Sequence, residues 1–463
     1  MALSVNVSDE PLTPSGRLFL QPEMRTIIHC ALGVKHHMDI DAIKSTIKNS
    51  FMVKHPRFCS LLVRDKNGFE HWRRTEIDID RHIILVDETA ATNGGDDVDK
   101  IVNDYIADLS SSSPLGCDKP LWEIHMMMKQ KCAIFRIHHS LGDGISLMSM
   151  LLAICRKAED PAAVPTLATG GRRDWSGGKG KDWRGALMGV LKMVLFNLVF
   201  CLNFVLRCLC VRDRKTVISG GDGVELWPRK VATARFWIED MKVVKQAVAN
   251  ATINDVLFGV ISAGLSRYLD HRSPNSLKEG HQLTGVAMVN LREQPGLQDL
   301  TKMMDSNSTC NWGNKFGILL LPSYYYQRVE PLEHVKRAKV MIDRKKQTLE
   351  AQFSYRVGDL VMSWLGPKIA SLLNYRILCN TTFTISNVVG PKEEITLAGN
   401  PITFIRANTS SLPQAVAMHM VSYAGRAEMQ IVVAKDIIPD PEFLAKCFQD
   451  SLLEMKEAAI ASM

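Results

Sequence analysis

The stretch KCAIFRIHHSLGDGISLMSMLLAICRK, residues 131–157, predicts a strand, a tight turn and a helix in immediate succession. In its first part, alternate residues fall on opposite faces of an extended chain, one face being formed by Cys132, Ile134, Arg136 and His138. Gly142 and Gly144 permit the turn because glycine has no side chain to restrict its backbone. We expect the helix over 145–157, where apolar residues recur at helical spacing: Ile145, Met148, Leu151, Leu152 and Cys155.

The turn carries two adjacent histidines, His138 and His139, and an aspartate, Asp143, just before the helix. Successive strand residues point to opposite faces, so only one of the two histidines can face a given cavity. A neutral imidazole, with an ordinary pKa of about 6.5, can accept a hydroxyl proton at neutral pH. The pattern therefore favours a general base at one histidine and a structural role for Asp143, which would cap the helix or pair with an arginine. The alternative is a strand–turn–helix with two ordinary histidines, as the pair His36-His37 illustrates.

The composition is that of a large globular protein. The 463 residues are 46% apolar and 23% charged, and the chain exceeds the size of a single core. Its eleven cysteines include no CxxC pair, so we expect no zinc ribbon, redox motif or other metal site, and mostly buried thiols in a reducing compartment. Residues 1–20 contain no apolar run of the kind found in a secretory signal peptide.

The positive charge is concentrated in one segment. The net charge is 56 − 49 = +7, and residues 171–230 alone contain twelve Lys and Arg against five Asp and Glu, so the rest of the chain balances at 44 against 44. This distribution argues against a nucleic-acid-binding protein with a basic face. A basic segment beside an apolar one favours an anionic membrane surface, and a solvated basic linker is the alternative.

The apolar part of that segment is residues 186–211. Only fourteen uncharged residues separate Lys192 from Arg207, a length more typical of an interfacial, re-entrant or buried segment than of a membrane span. Both cations could extend to the membrane surface, so a single span stays open. Since 156–185 is rich in Pro, Gly and charge, it predicts a linker. We therefore divide the chain into an N-terminal lobe (1–170), a basic linker with a membrane-associated segment (171–230) and a C-terminal lobe (231–463).

Both lobes are predicted to mix strands and helices, which is an α/β (α+β) class. In the second lobe, the periodicity predicts helices over 252–269, 332–342 and 441–455 and strands over 283–292, 381–388 and 428–433. Asn254 and Asp255 fall in the first turn of the first of these helices, where capping is the simplest explanation for them.

The motif HHxxxDG at 138–144 resembles the signature of the chloramphenicol-acetyltransferase-like, coenzyme-A-dependent acyltransferases. The chain further resembles the plant-type wax ester synthase/diacylglycerol acyltransferase family from about Pro22 to its C-terminus. The segments that carry this resemblance are HPRF (55–58), EIDIDRHI (76–83), PLW (120–122), TINDV (252–256), VNLR (289–292), GNKFG (313–317) and SNVVGP (386–391). The DFGWG segment of plant acyltransferases that act on phenolics does not occur.

The resemblance implies two chloramphenicol-acetyltransferase-like lobes around a central tunnel, with the family's C-terminal region at about 310–460. It implies that His139 is the general base, that His138 supports it and that Asp143 holds the loop. It further implies that the tunnel is bordered by Gly142, Gly144, Asn254, Asp255, Ser386 and Asn387.

The implied activity is an acyl-CoA-dependent O-acyltransferase that makes wax esters from long-chain alcohols, triacylglycerol from diacylglycerol, or both. Acyl-CoA would be a substrate, and no cofactor is expected. No GxSxG motif suggests an acyl-serine intermediate, whereas an acyl-cysteine at Cys132 or Cys117 stays open. Two alternatives remain: a membrane-associated lipid-binding protein without catalysis, and an acyltransferase of the same superfamily with a different alcohol acceptor.

The expected location is the endoplasmic reticulum membrane with the active site facing the cytosol, and the plasma membrane is a second candidate. If 186–211 crossed a bilayer once, the lobes would lie on opposite sides, and Asn254 and Asn387 could not share a cavity with His139. We therefore expect that this segment re-enters or lies on the membrane.

Overall fold

The computed structural model describes residues 9–87, 97–112, 114–165, 183–292, 312–410 and 412–463. Within these ranges the strands are, in chain order, β1 (Glu10–Pro11), β2 (Ile27–Val34), β3 (Ser60–Arg64), β4 (Glu70–Arg74), β5 (Ile83–Leu85), β6 (Trp122–Met127), β7 (Cys132–His138), β8 (Cys155–Lys157), β9 (Arg229–Trp237), β10 (Gln282–Asn290), β11 (Phe316–Tyr324), β12 (Phe383–Val389), β13 (Ile395–Leu397), β14 (Asn400–Thr409), β15 (Val416–Tyr423) and β16 (Arg426–Ala434). The α-helices are α1 (Pro14–Leu18), α2 (Ile40–Lys48), α3 (Val98–Ser112), α4 (Gly144–Ile154), α5 (Trp183–Leu209), α6 (Ile238–Ala247), α7 (Ile253–Arg272), α8 (Pro331–Lys346), α9 (Glu350–Cys379) and α10 (Pro441–Ala461).

Two large mixed sheets form the framework, which confirms the predicted α/β class. The first has seven strands in the order β5-β6-β7-β2-β14-β13-β8, and the second has six in the order β11-β10-β12-β15-β16-β9. A small sheet, β1-β4-β3, lies apart from both. Every strand of the second large sheet comes from residues after 228, whereas the first draws on both ends of the chain.

The strand–turn–helix at 131–157 forms largely as predicted. Cys132–His138 is a fully buried central strand between β6 and β2, and α4 follows it across the histidine turn. The prediction was wrong for the last residues: Cys155 is extended (φ −91°, ψ 165°), and 155–157 pairs antiparallel with 395–397 instead of continuing the helix. The helical spacing of Cys155 could not reveal this pairing, because the partner strand lies about 240 residues away in sequence.

The predicted elements of the second lobe are present with longer ends. The helix at 252–269 runs as Ile253–Arg272 with Thr252 as its N-cap, and the helices predicted at 332–342 and 441–455 run as α8 and α10. The three predicted strands are β10, β12 and β16. Helices α6, α7, α8 and α10 pack on the second sheet around a core that includes Phe383, Met418 and Phe448.

The lobes interlock through the backbone. Strand β14 pairs antiparallel with β2, aligning Ile402–Thr409 with Ile28–Val34, so a C-terminal segment completes the N-terminal sheet. The chain leaves the second sheet at Val389, forms β13 and β14 in the first sheet, and returns to the second at Val416. The division at residues 170 and 231 stays a prediction, and 395–409 lies within the first sheet.

The apolar segment predicted at 186–211 lies almost entirely within one helix, α5. Its C-terminal half packs on α9, where Phe204 and Cys208 are buried with Tyr375 and Leu378. Among the residues that the structure describes, no helix combines the length and apolarity needed to cross a bilayer. Residues 166–182, most of the predicted linker, lie outside the described residues.

Candidate active site

His139 lies one residue beyond the end of β7, at the start of a short 3₁₀ turn (His139–Leu141). Its backbone N–H donates to the carbonyl of Thr26 at 2.9 Å, which anchors the turn to the segment that leads into β2. The imidazole is half-buried and stacks on Phe19, with ring centroids 4.0 Å apart and planes at 18°. Phe316, from the second lobe, approaches it with a centroid separation of 6.3 Å.

Asn314 determines which nitrogen of His139 carries the proton. Its Nδ2 donates to the His139 carbonyl at 2.8 Å, so its Oδ1 is the atom 3.1 Å from His139 Nδ1. Since an amide oxygen only accepts, Nδ1 of the neutral ring bears the hydrogen and donates it to Asn314. Nε2 therefore keeps its lone pair and can accept a proton from a substrate.

Burial lowers the pKa of His139 from its ordinary value, because the charged imidazolium is poorly solvated there. The nearby Asp143 carboxylate and the Asn314 amide oppose this shift without cancelling it. The ring is therefore neutral at pH 7, as a general base must be before it takes a proton.

His138 has a different environment. It is buried, and its Nδ1 accepts from the backbone N–H of Ser140 at 3.2 Å and lies 2.8 Å from the Ser140 hydroxyl. Burial, together with the charge of Arg25, lowers the pKa of His138 to about 3. The His138 side chain therefore stabilises the turn through its contacts with Ser140.

Asp143 joins the two lobes. One carboxylate oxygen caps α4 by accepting from Ser146 N at 3.0 Å, and both oxygens accept from Arg292 at 2.8 and 3.1 Å. The backbone N–H of Lys315 also donates to it at 3.1 Å. Both contacts that the sequence suggests for Asp143, a helix cap and an arginine, are therefore present, and the arginine comes from the VNLR segment.

The two glycines of the motif let neighbouring side chains pack closely against the backbone of the histidine loop. A Cβ on Gly142 would lie 3.1 Å from the Cβ of Ser146, and one on Gly144 would lie 3.3 Å from Cγ2 of Val388 on β12. The second contact places β12 directly against the histidine loop.

Four site residues were predicted in the second lobe. Ser386 and Asn387 lie on β12 just before Val388, and Asn254 and Asp255 lie in the first turn of α7. The Ser386 hydroxyl is 2.8 Å from Nδ1 of His419. Burial, together with the neighbouring His139, lowers the pKa of His419 to about 4. Asn387 Nδ2 donates to Asn254 Oδ1 at 2.9 Å, so these two amides form a pair. Asp255 is fully buried, and its carboxylate accepts from the backbone N–H of Thr252 at 2.6 Å in a capping box. Asn254 lines a cavity, whereas the Asp255 carboxylate is held in the helix cap.

Sequence reasoning missed three residues of this site. Asn314 and Arg292 lie in GNKFG and VNLR, two segments that carry the family resemblance, which implied no role for either residue. His419 belongs to none of the quoted segments, and no local pattern distinguishes it from an ordinary strand residue.

In the part of the chain that the structure describes, cavities border Gly144, Asn314 and β12, and His139 is not among the residues that line them. An apolar one lies between the first sheet and α4, bordered by Gly144 and Val388. A second is lined by Asn314 and Phe316 together with α1 and α9. A third begins at Asn254 and Asn387. A tunnel that runs through the whole protein stays a prediction.

An acyl-cysteine intermediate has little chemical support at Cys132. Burial raises the pKa of this thiol to about 12, so the nucleophilic thiolate is scarce at neutral pH. Cys117 is exposed.

Family models match two segments of the chain. A wax ester synthase/diacylglycerol acyltransferase catalytic domain matches residues 32–199, and a WS/DGAT C-terminal domain matches residues 312–456. The chain is 37% identical to wax ester synthase/diacylglycerol acyltransferase 11 of Arabidopsis thaliana, an alignment that covers 98% of this chain and 96% of the relative. It is 35% identical to wax ester synthase/diacylglycerol acyltransferase 2 of the same plant, over 98% and 97% of the two chains.

Solved structures share the fold at low sequence identity. The wax ester synthase/diacylglycerol acyltransferase from Marinobacter aquaeolei VT8 superposes with a TM-score of 0.58 at 16% identity, covering 97% of this chain and 99% of that one. The first condensation domain of the calcium-dependent antibiotic synthetase gives a TM-score of 0.59 at 14% identity, over 98% and 97% of the chains. The two-lobed fold that the histidine motif predicts is thereby confirmed. The family models and the plant relatives show that the chain belongs to the wax ester synthase/diacylglycerol acyltransferase family.

Proposed function

We propose that the protein transfers a long-chain acyl group from acyl-CoA to the hydroxyl group of a long-chain alcohol or of diacylglycerol, with His139 as general base. One observation carries this proposal: a neutral imidazole whose Nε2 keeps its lone pair lies where both lobes meet, on the turn that leads to Gly144, which borders an apolar cavity. The family's named activities agree with this chemistry.

The reaction needs a single base and no covalent enzyme intermediate. Nε2 of His139 takes the hydroxyl proton as the alcohol oxygen attacks the thioester carbonyl carbon, forming a C–O bond. The tetrahedral intermediate collapses, the C–S bond breaks, and the departing CoA sulfur receives the proton from Nε2. Asn314 holds Nδ1–H throughout, so the ring does not need to change tautomer before the next cycle.

The apolar cavity suits an alkyl chain. Its lining is almost entirely apolar and includes Met52, Met148 and Met150, whose flexible side chains adapt to an extended chain. Each CH₂ buried contributes about 0.8 kcal/mol before the costs of association, and the cavity, at about 60 Å³, holds only part of a sixteen-carbon chain as it stands. Affinity for long chains therefore requires length and apolarity more than specific polar contacts.

The decisive experiment measures ester formation by the purified protein. Hexadecanoyl-CoA is supplied with hexadecanol or with diacylglycerol, and the wild type is compared with His139→Ala and with His36→Ala, a control in the other histidine pair. We expect His139→Ala to lower the rate by about 10²- to 10⁴-fold and His36→Ala to leave it unchanged. A wild type that binds these lipids and forms no ester would instead favour the lipid-binding alternative.

We also propose that α5 and the adjoining α9 contact a membrane surface. α5 exposes Leu195, Leu198 and Leu202 at 57%, 65% and 59%, and α9 exposes Trp364 and Leu365 at 82% and 61%. The basic residues Arg356 and Lys368 lie on the exposed side of α9, which suits anionic lipid headgroups. His139 and Asn314 precede and follow α5 in sequence yet are hydrogen-bonded, which favours a helix that lies on the membrane over a single span.

Flotation with liposomes that contain anionic lipid tests this contact. The double variant Leu198→Glu/Leu202→Glu should lose binding, whereas Leu453→Glu, at an exposed leucine of α10, should retain it. Equal binding by all three proteins would contradict the proposal. For location, we propose the endoplasmic reticulum membrane with the active site facing the cytosol, and protease protection of tags at both termini in microsomes tests it: both tags should be digested.

A further inference from the structure

The largest of the cavities described above opens on the second lobe. It measures about 1280 Å³, above the usual range for small-molecule sites. Five lysines line it: Lys242 and Lys245 from α6, Lys339 and Lys346 from α8, and Lys392 from the segment after β12. Among the lining residues that the structure describes, the single carboxylate is that of Asp343.

The lysines exceed the acidic groups that could neutralise them. Lys339 bonds to Asp343, and Lys346 lies 3.7 Å from the same carboxylate. Lys242 pairs at 2.9 Å with Glu239, on its own helix. In the part of the chain that the structure describes, Lys245 and Lys392 have no ion-pair partner. Since charges balance outside 171–230, this excess of five to one is a local feature of the cavity and suits an anion.

Strand β12 connects this cavity to the histidine loop. Asn387 and Val389 line the basic cavity, whereas Val388 between them lines the apolar cavity and contacts Gly144. One strand thus separates a basic cavity from an apolar one that borders Gly144 of the histidine loop. At this inner wall, Oδ1 of Asn387 is buried and accepts no hydrogen bond from any residue that the structure describes. A buried unsatisfied acceptor suits a ligand that donates an N–H group.

We propose that this basic cavity binds the phosphate-bearing part of acyl-CoA, an inference that rests on the proposed function. Coenzyme A carries a pyrophosphate and a 3′-phosphate at one end, its thioester at the other, and two amide groups in the pantetheine arm between them. The cavity presents the matching groups in the same order. The Asn254–Asn387 pair lies nearest the histidine loop and meets an amide of the arm. The phosphates bind at Lys245 and Lys392, with the exposed Lys242 and Lys346 close by in the same lining.

The test removes the two unpaired lysines and varies the phosphates of the donor. Lys245→Gln/Lys392→Gln is compared with the wild type, and with Lys48→Gln/Lys66→Gln, which makes the same change of net charge on the first lobe. With hexadecanoyl-CoA we expect KM to rise about 10- to 100-fold in the first double variant, with kcat nearly unchanged. With S-hexadecanoyl-pantetheine, which has no phosphate, the three proteins should have equal kinetics. In the wild type, KM for the CoA thioester alone should rise with ionic strength.

Direct binding of free coenzyme A by calorimetry keeps this inference separate from catalysis. The wild type and the control should bind it equally, and the cavity variant about 10- to 100-fold more weakly. Equal affinity in all three proteins, or an equal loss of kcat/KM with both thioesters, would overturn the assignment. A wild type that binds coenzyme A through these lysines and forms no ester would leave the site standing and remove the proposed function.

The amide pair has its own variant. Asn387→Ala should raise KM for the CoA and the pantetheine thioesters alike, because both contain the arm. Substitutions at the lysines should therefore affect only the CoA thioester, whereas Asn387→Ala should affect both thioesters. An Asn387→Ala effect confined to the CoA thioester would contradict this arrangement.

Discussion

At the scale of single residues, three groups fix the imidazole of His139. Phe19 stacks on its face, Asn314 accepts from Nδ1, and the carbonyl of Thr26 holds its backbone N–H. These contacts set the ring plane, the tautomer and the position of the turn. In the proposed reaction, Asn314 acts through His139, so it is a positioning residue.

We predict that Asn314→Ala lowers kcat by about 10- to 100-fold with little change in KM, because the ring loses its preferred tautomer and orientation. Asn314→Asp should raise the pKa of His139, since a carboxylate beside Nδ1 favours the imidazolium. The measurement is the pH dependence of kcat/KM. Because burial lowers the pKa of the wild-type base, its activity should persist below pH 6.5 and fall only at more acidic pH. A wild-type acid limb at or above pH 6.5, or one that Asn314→Asp leaves in place, would contradict this assignment.

Arg292 is the second residue on which the site depends. Arg292→Ala would leave Asp143 buried without its charged partner, and we predict a loss of about 3–5 kcal/mol in the free energy of unfolding. Arg292→Lys should lose less stability, because lysine keeps the positive charge and loses only the two-point hydrogen bonding to the Asp143 carboxylate. Urea unfolding measures both, with the exposed Arg214→Ala as control. Equal stability of Arg292→Ala and the control would show that the pair does not hold the lobes together.

At the scale of elements, the apolar cavity is formed by strands of the first sheet and the face of α4. Cys30, on β2, lines it, and burial raises the pKa of this thiol to about 12, so it acts there as a small apolar side chain. Leu151 lines the cavity from the helix. The free space between them limits the length of alkyl chain that the cavity can hold.

We predict that Cys30→Phe shortens the preferred chain and that Leu151→Ala lengthens it. Each CH₂ that can no longer be buried costs about 0.8 kcal/mol, roughly fourfold in kcat/KM. Competition between dodecanoyl-CoA and octadecanoyl-CoA, and between the corresponding alcohols, measures the shift. Val164→Phe, at an exposed position, is the control. If neither substrate series responds to Cys30→Phe, the alkyl chain does not occupy this cavity.

At the scale of the whole molecule, many histidines are buried in their neutral form. Burial lowers the pKa of His29, His55 and His138 to about 3, and that of His82, His334 and His419 to about 4. In the unfolded chain these rings titrate near 6.5, so below that pH the unfolded state binds more protons than the folded one. Stability is therefore retained above pH 6.5 and lost as the pH falls toward 4.

We predict that the urea midpoint of unfolding falls steeply between pH 6.5 and pH 5. Each of these histidines contributes a loss of roughly 2 kcal/mol at pH 5, and total stabilities are usually about 5–15 kcal/mol. His334→Gln, remote from the proposed base, should reduce the slope of stability against pH by about one proton. A midpoint that stays constant or rises between pH 6.5 and pH 5 would contradict this expectation.

Much of the fold and of the site was predictable from the chain. The alternation in 131–138 and the spacing in 145–154 predict β7 and α4, and the order of short segments predicts the family. The first-turn position of Asp255 predicts a capping role, and the structure shows it in a capping box with Thr252. These features depend on contacts between near neighbours, for which sequence spacing and spatial distance agree.

Tertiary structure decided the rest. His139 meets Asn314 across 175 residues, and Asp143 meets Arg292 across 149. The strand at 155–157 exists because 395–397 lies beside it, and the five lysines converge from three separate segments. The sequence by itself determined that a histidine turn ends a buried strand. Only the folded chain decided which nitrogen of which histidine is free and what charge surrounds it, because those properties arise from side chains that the topology brings together and that no local period records.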